Sequence, residues 1–222
     1  MDEYPTFELP SSEKPVNLSI KGKPIVLYTQ DAFKRVQDEY SGVYEQVVFD
    51  DTHSHWAKEA ISELYRTGVI QGRQGNVFMP NEMITRAEFI ALIARLSGSL
   101  EMLTPNFADV FEQDWFYKSV GIALHQGLIT ENEYFFPSRA ITRQEMAVVT
   151  ARYLKLISDK ELHYADKDEI SEWAVDSVAA LTEIGVAKGS ENLFMPLNAL
   201  TRAEAAQIIY NISQLNGGRQ SE

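Results

Sequence analysis

The sequence contains no cysteine. This absence excludes disulfide bonds, thiolate zinc sites and thiol catalysis. The chain also has no uninterrupted apolar stretch of 18 residues, so the sequence predicts no membrane-spanning helix. The residues after Met1 lack the basic and apolar regions of a signal peptide. We expect either an intracellular protein or a fragment whose signal lies upstream, and we favour the fragment.

Basic residues are scarce, with 20 lysines and arginines against 32 aspartates and glutamates and a formal net charge of −12. Surfaces that bind nucleic acid are strongly basic, so this balance argues against a nucleic-acid partner. Because the protein as a whole repels anions, an anionic ligand must be held by locally placed cations. The apolar content of 45% is sufficient for a packed core.

Only three tryptophans are present, and each begins a copy of one repeated pattern. A glycine follows twelve residues later, then a Phe-x-Pro segment and a Thr-Arg-x-Glu segment. The positions are Trp56, Gly68, Pro80 and Arg86; Trp115, Gly127, Pro137 and Arg143; and Trp173, Gly185, Pro196 and Arg202. A period of about 58 residues predicts one supersecondary unit built three times, with a core shared between the copies.

Each repeat is predicted to fold as a helix, a loop and a second helix. Apolar residues recur at helical spacing after each tryptophan, so the tryptophan should lie on the buried face of the first helix. Acidic residues before it should be carboxylates at the start of that helix: Asp50, Asp51, Asp109 and Asp166. The repeated glycine should end the helix in the left-handed conformation. The second helix should begin at a capping box: Thr85 with Glu88, Thr142 with Glu145, and Thr201 with Glu204.

Residues 1–46 lie outside the repeats. Residues 1–15 contain three prolines and are predicted to form a flexible tail or linker. Alternating apolar residues around a Lys-Gly-Lys-Pro turn predict a β-hairpin, followed by a short helical segment over residues 31–46. Because a lone hairpin is barely stable, residues 16–46 should either pack on the repeats or be the end of an upstream domain, and we favour the upstream domain. The three repeats are expected over about 47–103, 104–161 and 162–214, with a disordered tail over 215–222.

An arginine follows each capping threonine: Arg86, Arg143 and Arg202. This first helical position lies at the positive end of the helix dipole, where a cation is unfavourable. One interpretation is an anion site, in which the guanidinium and the free backbone N–H groups of the helix start bind the ligand together. The alternative is a clasp, in which each arginine pairs with a carboxylate of a neighbouring repeat. The residues alone leave both interpretations open.

Other patterns predict neither catalysis nor a cofactor. His55 of the His53-x-His55 pair has Asp114 and Glu172 as its counterparts, so a metal site is not predicted. No Ser–His–Asp or paired-carboxylate arrangement stands out.

The repeats resemble S-layer homology (SLH) domains. The matching motifs in the first copy are Phe49-x-Asp51, His55-Trp56-Ala57, Gly68-Val69-Ile70-x-Gly72, Phe78-x-Pro80 and Ile84-Thr85-Arg86-Ala87-Glu88. Their equivalents recur in the other copies, and the resemblance covers residues 49 to about 214. It implies a mainly α fold in which three helix-loop-helix repeats form a pseudo-threefold bundle with grooves between copies, preceded by the short hairpin.

The resemblance also implies a function. Members of this family anchor extracellular proteins non-covalently to the bacterial cell wall or S-layer, usually through pyruvylated secondary cell wall polysaccharide. The family's sugar-contacting arginine matches Arg86, Arg143 and Arg202, and its loop glycine, which lets a sugar approach the backbone, matches Gly72 and Gly189. Trp56, Trp115 and Trp173 are additional candidates for stacking on the sugar, although core burial is the favoured interpretation for them. As ligand residues, the arginines should tolerate alanine with nearly unchanged stability.

Repeat two departs from this pattern. Its loop has no such glycine, and residues 130–133 carry two carboxylates. We assign this loop to the groove of Arg143, which should therefore bind an acidic sugar least well.

Two other functions stay open. The repeats could be a scaffold that holds a peptide partner, which would not respond to acidic saccharides. An enzyme would need its catalytic residues within 1–46, which is too short for an active-site cleft, so no activity is expected in this fragment. The expected partners are an acidic wall polysaccharide and an upstream cargo domain, without nucleic acid or membrane insertion.

Overall fold

The computed structural model describes residues 16–20, 23–27, 44–46 and 49–217. The chain divides into two compact units, Met1–Met79 and Pro80–Glu222. The predicted tail over 1–15 and most of the predicted helical segment over 31–46 lie outside the described residues, as does the end of the tail predicted after residue 214.

The first unit contains three short strands and one described helix. Strand β1 (Val16–Ile20) pairs antiparallel with β2 (Lys23–Leu27) and with β3 (Tyr44–Gln46), giving the order β2-β1-β3. Residues 44–46 are therefore a strand and not the end of a helix, because their backbone pairs with β1. Helix α1 (Lys58–Arg66) buries Ala60, Ile61 and Leu64.

The described part of the second unit is helical. Its helices are α2 (Arg86–Ser97), α3 (Tyr117–His125), α4 (Arg143–Leu154), α5 (Val175–Glu183) and α6 (Arg202–Gly217), with 3₁₀ turns at Lys167–Glu169 and Glu172–Ala174. The mainly α fold and its helical bundle are confirmed. Residues 215–217, predicted to be a tail, continue α6. None of the helices in the described ranges is both long and apolar enough to cross a membrane.

The predicted starts of α2, α4 and α6 and the predicted ends of α1, α3 and α5 rest on local chemistry, and the structure confirms them. Capping boxes begin α2, α4 and α6; at α4, the Thr142 side chain accepts from the Glu145 N–H while Glu145 accepts from the Thr142 N–H. Glycines with positive φ follow α1, α3 and α5: Gly68, Gly127 and Gly185. These residues satisfy backbone groups that a helix terminus leaves without partners.

The prediction that the tryptophans are buried is wrong. Trp56, Trp115 and Trp173 are 62%, 62% and 58% exposed. Each lies just before its α-helix, so the helical spacing does not extend back to it. The buried position falls instead on the residue that follows each tryptophan: Ala57, Phe116 and Ala174.

The segments that precede α2, α4 and α6 form a closed ring of backbone hydrogen bonds. Ile141 N–H donates to the Ile84 carbonyl at 3.1 Å, Leu200 N–H donates to Ile141 at 3.1 Å, and Ile84 N–H donates to Leu200 at 2.9 Å. All three side chains are buried. We call this triangle the central ring. It holds the three helix starts side by side within the second unit, so each arginine comes close to another repeat.

Candidate functional site

Each of the three arginines pairs with the capping-box glutamate of another repeat. Arg86 Nη1 lies 2.8 Å from Glu145 Oε1, and Arg143 Nη1 lies 3.6 Å from Glu204 Oε1. Arg202 Nη1 lies 3.3 Å from Glu88 Oε1, which completes the circle. The arginines therefore occupy the positions of the clasp interpretation, and Arg143 and Arg202 are only 8% and 7% exposed.

The anion-site hypothesis required free backbone N–H groups at the helix starts, and the structure contradicts that part of it. At α2, Arg86 N–H donates to the Arg139 carbonyl at 2.9 Å and Ala87 N–H donates to Pro137 at 3.1 Å. The same pair of bonds runs from the start of α4 to the segment before α6, and from the start of α6 to the segment before α2. Because these bonds and the capping boxes use the N–H groups of the first turn, the starts of α2, α4 and α6 offer no free backbone donors to a ligand.

Two of the arginines, Arg86 and Arg143, also bind the loop of the next repeat. Arg86 Nε donates to the Phe135 carbonyl at 2.9 Å, and its guanidinium carbon lies 5.2 Å from the centre of the Phe135 ring. Arg143 repeats this arrangement on Phe194, where its Nε donates at 2.7 Å, and its Nη2 donates to the Lys188 carbonyl at 3.0 Å.

These contacts correct the assignment of the repeat-two loop. That loop faces Arg86, whereas Arg143 faces the loop of repeat three, because α2 begins against repeat two and α4 begins against repeat three. The carboxylates of the repeat-two loop therefore give no reason for the groove of Arg143 to bind an acidic sugar least well.

The loops are held by aspartates, which do not lie at helix starts as predicted. Asp109 accepts from Phe135 N–H at 2.8 Å and from Phe136 N–H at 2.7 Å. Asp51 and Asp166 make the same pair of bonds in their own repeats. The second residue of each bonded pair has a positive φ: Met79, Phe136 and Met195, at 58°, 57° and 57°. Charged acceptors give strong hydrogen bonds, which offset the strain of this conformation.

Arg86 borders a groove of about 560 Å³, which we call the Arg86 groove. Its walls are the repeat-two loop, the exposed face of α4 and Trp173 of repeat three. The polar and the exposed aromatic lining residues are Arg86, Arg139, Arg152, Glu145, Thr130, Asn132, Tyr134, Phe136 and Trp173. The two loop carboxylates, Glu131 and Glu133, are not among the lining residues. The volume lies in the range of small-molecule sites.

The electrostatics of the Arg86 groove favour an anion. Three arginines line it against one glutamate, in a chain whose net charge is −12. Burial lowers the pKa of Arg86, and the neighbouring charge of Arg139 lowers it further, while Glu145 and Asp109 act in the opposite direction. An arginine remains charged at physiological pH in any case. In the contacts of the described residues, Arg86 Nη2 has no hydrogen-bond partner.

The predicted glycines have a packing role. A Cβ on Gly72 would overlap the ring of Phe49, and one on Gly189 would overlap the Leu193 carbonyl and come within 2.7 Å of Tyr164 Cε1. Gly189 N–H also donates to the Tyr164 hydroxyl at 3.3 Å. Because glycine has no side chain, each of these two positions leaves space for an aromatic ring of its own repeat.

Of the predicted site residues, the second unit brings Arg86 and Trp173 together in one groove. Sequence reasoning missed Arg139, Tyr134 and Phe136. The counterparts of Arg139 in the other repeats are Glu82 and Asn198, so the repeated pattern does not single out this position. The clamping aspartates did have a signal, since each follows an aromatic residue by two positions in all three copies.

Comparison with known proteins gives a consistent result. The model of the S-layer homology domain matches residues 48–90, 106–147 and 163–206, which together are more than half of the chain. Exoglucanase XynX of Acetivibrio thermocellus is 35% identical over 78% of this chain and 17% of its own length. Amylopullulanase of Thermoanaerobacterium thermosulfurigenes is 32% identical over 81% of this chain and 10% of its own length. S-layer protein EA1 of Bacillus anthracis is 28% identical over 70% and 19%. The chain thus spans less than a fifth of each of these relatives.

Proposed function

This chain belongs to the S-layer homology family, and on that premise we propose that it anchors a surface protein to the bacterial cell wall by binding an acidic, pyruvylated secondary polysaccharide. The observation that carries the proposal is the Arg86 groove, where three arginines and three exposed aromatic rings line about 560 Å³. The net charge of −12 repels anions from the protein as a whole, so a concave site lined by three arginines is suited to an anionic ligand.

The lining of the Arg86 groove suits an acidic sugar. Arg86 Nη2 can donate to a carboxylate, and the half-buried position of the side chain strengthens such a charged hydrogen bond. Tyr134 and Phe136 are 44% and 53% exposed and stack at 5.6 Å with an interplanar angle of 29°. Together with Trp173 they offer flat apolar surfaces to the faces of sugar rings, and the polar side chains that line the groove can supply hydrogen bonds.

The location and the cargo follow from the same proposal. The relatives include proteins named as glycoside-degrading enzymes and as S-layer proteins, and the shared stretch is a small part of each. We place the chain outside the cell, in the wall or S-layer, as the non-catalytic anchor of a longer protein. The Arg143 and Arg202 positions extend the set of candidate sugar contacts, and Gly72, Gly189, Trp56 and Trp115 remain candidates beside them.

Co-sedimentation with purified cell walls tests the proposal. The protein should sediment with intact walls and stay in solution after chemical removal of the secondary polysaccharide. Arg86→Lys retains the charge but loses the guanidinium fork, so it should weaken sedimentation several-fold. Arg66→Lys changes an exposed arginine that is 42% accessible and pairs with Glu63, and it should bind like the unsubstituted protein.

Two outcomes would count against the proposal. Equal sedimentation with stripped and intact walls would exclude the polysaccharide as the ligand. Binding that survives stripping but is lost after protease treatment of the walls would support the peptide-scaffold function instead.

A further inference from the structure

Two arginines, Arg86 and Arg139, share the Glu145 carboxylate. Arg86 Nη1 lies 2.8 Å from Glu145 Oε1, and Arg139 contacts both carboxylate oxygens, with Nη1 3.1 Å from Oε2. The residue equivalent to Arg139 is Asn198 in repeat three and Glu82 in repeat one. Neither can supply a second cation to its capping glutamate. The pattern Arg86–Glu145–Arg139 therefore belongs to the Arg86 groove.

A ligand carboxylate bound at Arg86 Nη2 would compete with Glu145 for the charge of one guanidinium. The Glu145 side chain is only 18% exposed, and a partly buried carboxylate that loses its arginine is costly unless another cation remains. Arg139 is 45% exposed and already binds Glu145 at both oxygens, so it can stay in place when Arg86 leaves. For Arg143 the same exchange would remove the arginine partner of Glu204, since Asn198 carries no charge.

We propose that Arg139 is a positioning residue that holds Glu145 while Arg86 turns to the acidic group of the ligand, which makes the Arg86 groove the principal glycan site. This inference rests on the proposed function. Two guanidiniums around one carboxylate leave a local charge of +1, and the incoming anion completes a balanced set of two cations and two anions.

The titration of Glu145 is consistent with this role. Burial alone would raise the pKa of Glu145, but the hydrogen bond from Arg139, the Thr142 N–H and the charges of Arg86 and Arg139 together lower it. The carboxylate therefore stays charged at neutral pH and needs a cation beside it.

The test is a titration with a pyruvylated methyl glycoside, followed by NMR through the indole N–H of Trp173. The chain has three tryptophans, and Trp173→Phe assigns the signal from this groove. Arg139→Asn installs the residue of repeat three and keeps the backbone carbonyl that accepts from Arg86 N–H. Arg66→Asn is the matched control, because Arg66 is 42% exposed and also pairs with one glutamate.

The decisive comparison is a double-mutant cycle with Glu145→Gln, since glutamine can also serve in a capping box. Arg139→Asn should raise Kd about tenfold in the unsubstituted protein and less than about twofold in the Glu145→Gln background. Arg139→Lys keeps the cation and should lose less affinity than Arg139→Asn. Melting curves confirm that each variant is folded at the temperature of the titration.

Three results would overturn the inference. An equal loss in both backgrounds would mean that Arg139 touches the ligand directly. An unchanged Kd for Arg139→Asn would mean that it has no part in binding. Absence of binding by the unsubstituted protein would reject the proposed function and this inference with it, whereas the first two results leave the proposed function intact.

Discussion

Arg202 donates to Glu88 across 3.3 Å although 114 residues separate them in the sequence. This ion pair joins the last repeat to the first and closes a circle begun by Arg86 with Glu145 and continued by Arg143 with Glu204. The capping glutamate thus has two tasks, because it satisfies the backbone of its own helix and the guanidinium of another repeat. The arginine at the helix start is locally unfavourable, and the clasp explains why it is tolerated.

Arg202→Ala should destabilise the protein by about 3 kcal/mol, in contrast to the nearly unchanged stability expected for a ligand residue. The side chains of Arg202 and Glu88 are 8% and 15% exposed. Removal of the guanidinium leaves the buried carboxylate without this cation, which is costly. The measurement is the free energy of unfolding in urea. The control, Arg66→Ala, should lose at most about 0.5 kcal/mol because its ion pair is exposed. A similarly small loss for Arg202→Ala would show that the clasp does not stabilise the fold.

Gly189→Ala should cost about 2 kcal/mol through overpacking, whether or not a ligand binds. The added methyl group would meet the Leu193 carbonyl and the Tyr164 ring, and the backbone cannot easily move away. Denaturation midpoints would detect this, with the neighbouring exposed Ser190→Ala as a control. Unchanged stability combined with weaker saccharide binding would restore the interpretation that the glycine gives a sugar access to the backbone.

Phe136→Asn should separate binding from stability. Phe136 has φ 57°, which asparagine adopts more easily, and its ring is 53% exposed, so the unfolding free energy should change by less than about 0.5 kcal/mol. Loss of the stacking surface should weaken saccharide binding several-fold. Phe111→Asn removes another ring that is 53% exposed and lies outside the Arg86 groove, and it should leave affinity unchanged. Equal effects of the two substitutions would argue against stacking in the groove.

Stability should fall in acid through Glu145. Burial opposes ionisation, but Arg139, Thr142 N–H and Arg86 lower the pKa of the folded carboxyl. A lowered folded pKa means that the stabilisation is complete above the unfolded pKa of about 4.3 and disappears as pH falls through the folded pKa. The difference in unfolding free energy between the unsubstituted protein and Glu145→Gln should therefore be largest near pH 7 and shrink below about pH 4. A difference that stays constant from pH 7 to pH 3 would contradict this.

Local features were predictable because their causes are local. The capping boxes, the left-handed glycines and the buried faces of the helices depend on residues within a few positions, and the triple repeat made each pattern visible three times. The same reasoning failed at the tryptophans, because apolar spacing cannot tell whether a helix has already begun at residue 56 or begins at Lys58.

The sequence by itself determined the three repeats and their helices, and it places an arginine at the first position of the second helix in each repeat. These features depend on composition and on short-range spacing. Only the tertiary structure decided which loops Arg86 and Arg143 face, because the central ring sets α2 against repeat two and α4 against repeat three. It also brought Arg139, Glu145 and Trp173 around Arg86. Long-range backbone hydrogen bonds select these neighbours, and no spacing along the chain records them.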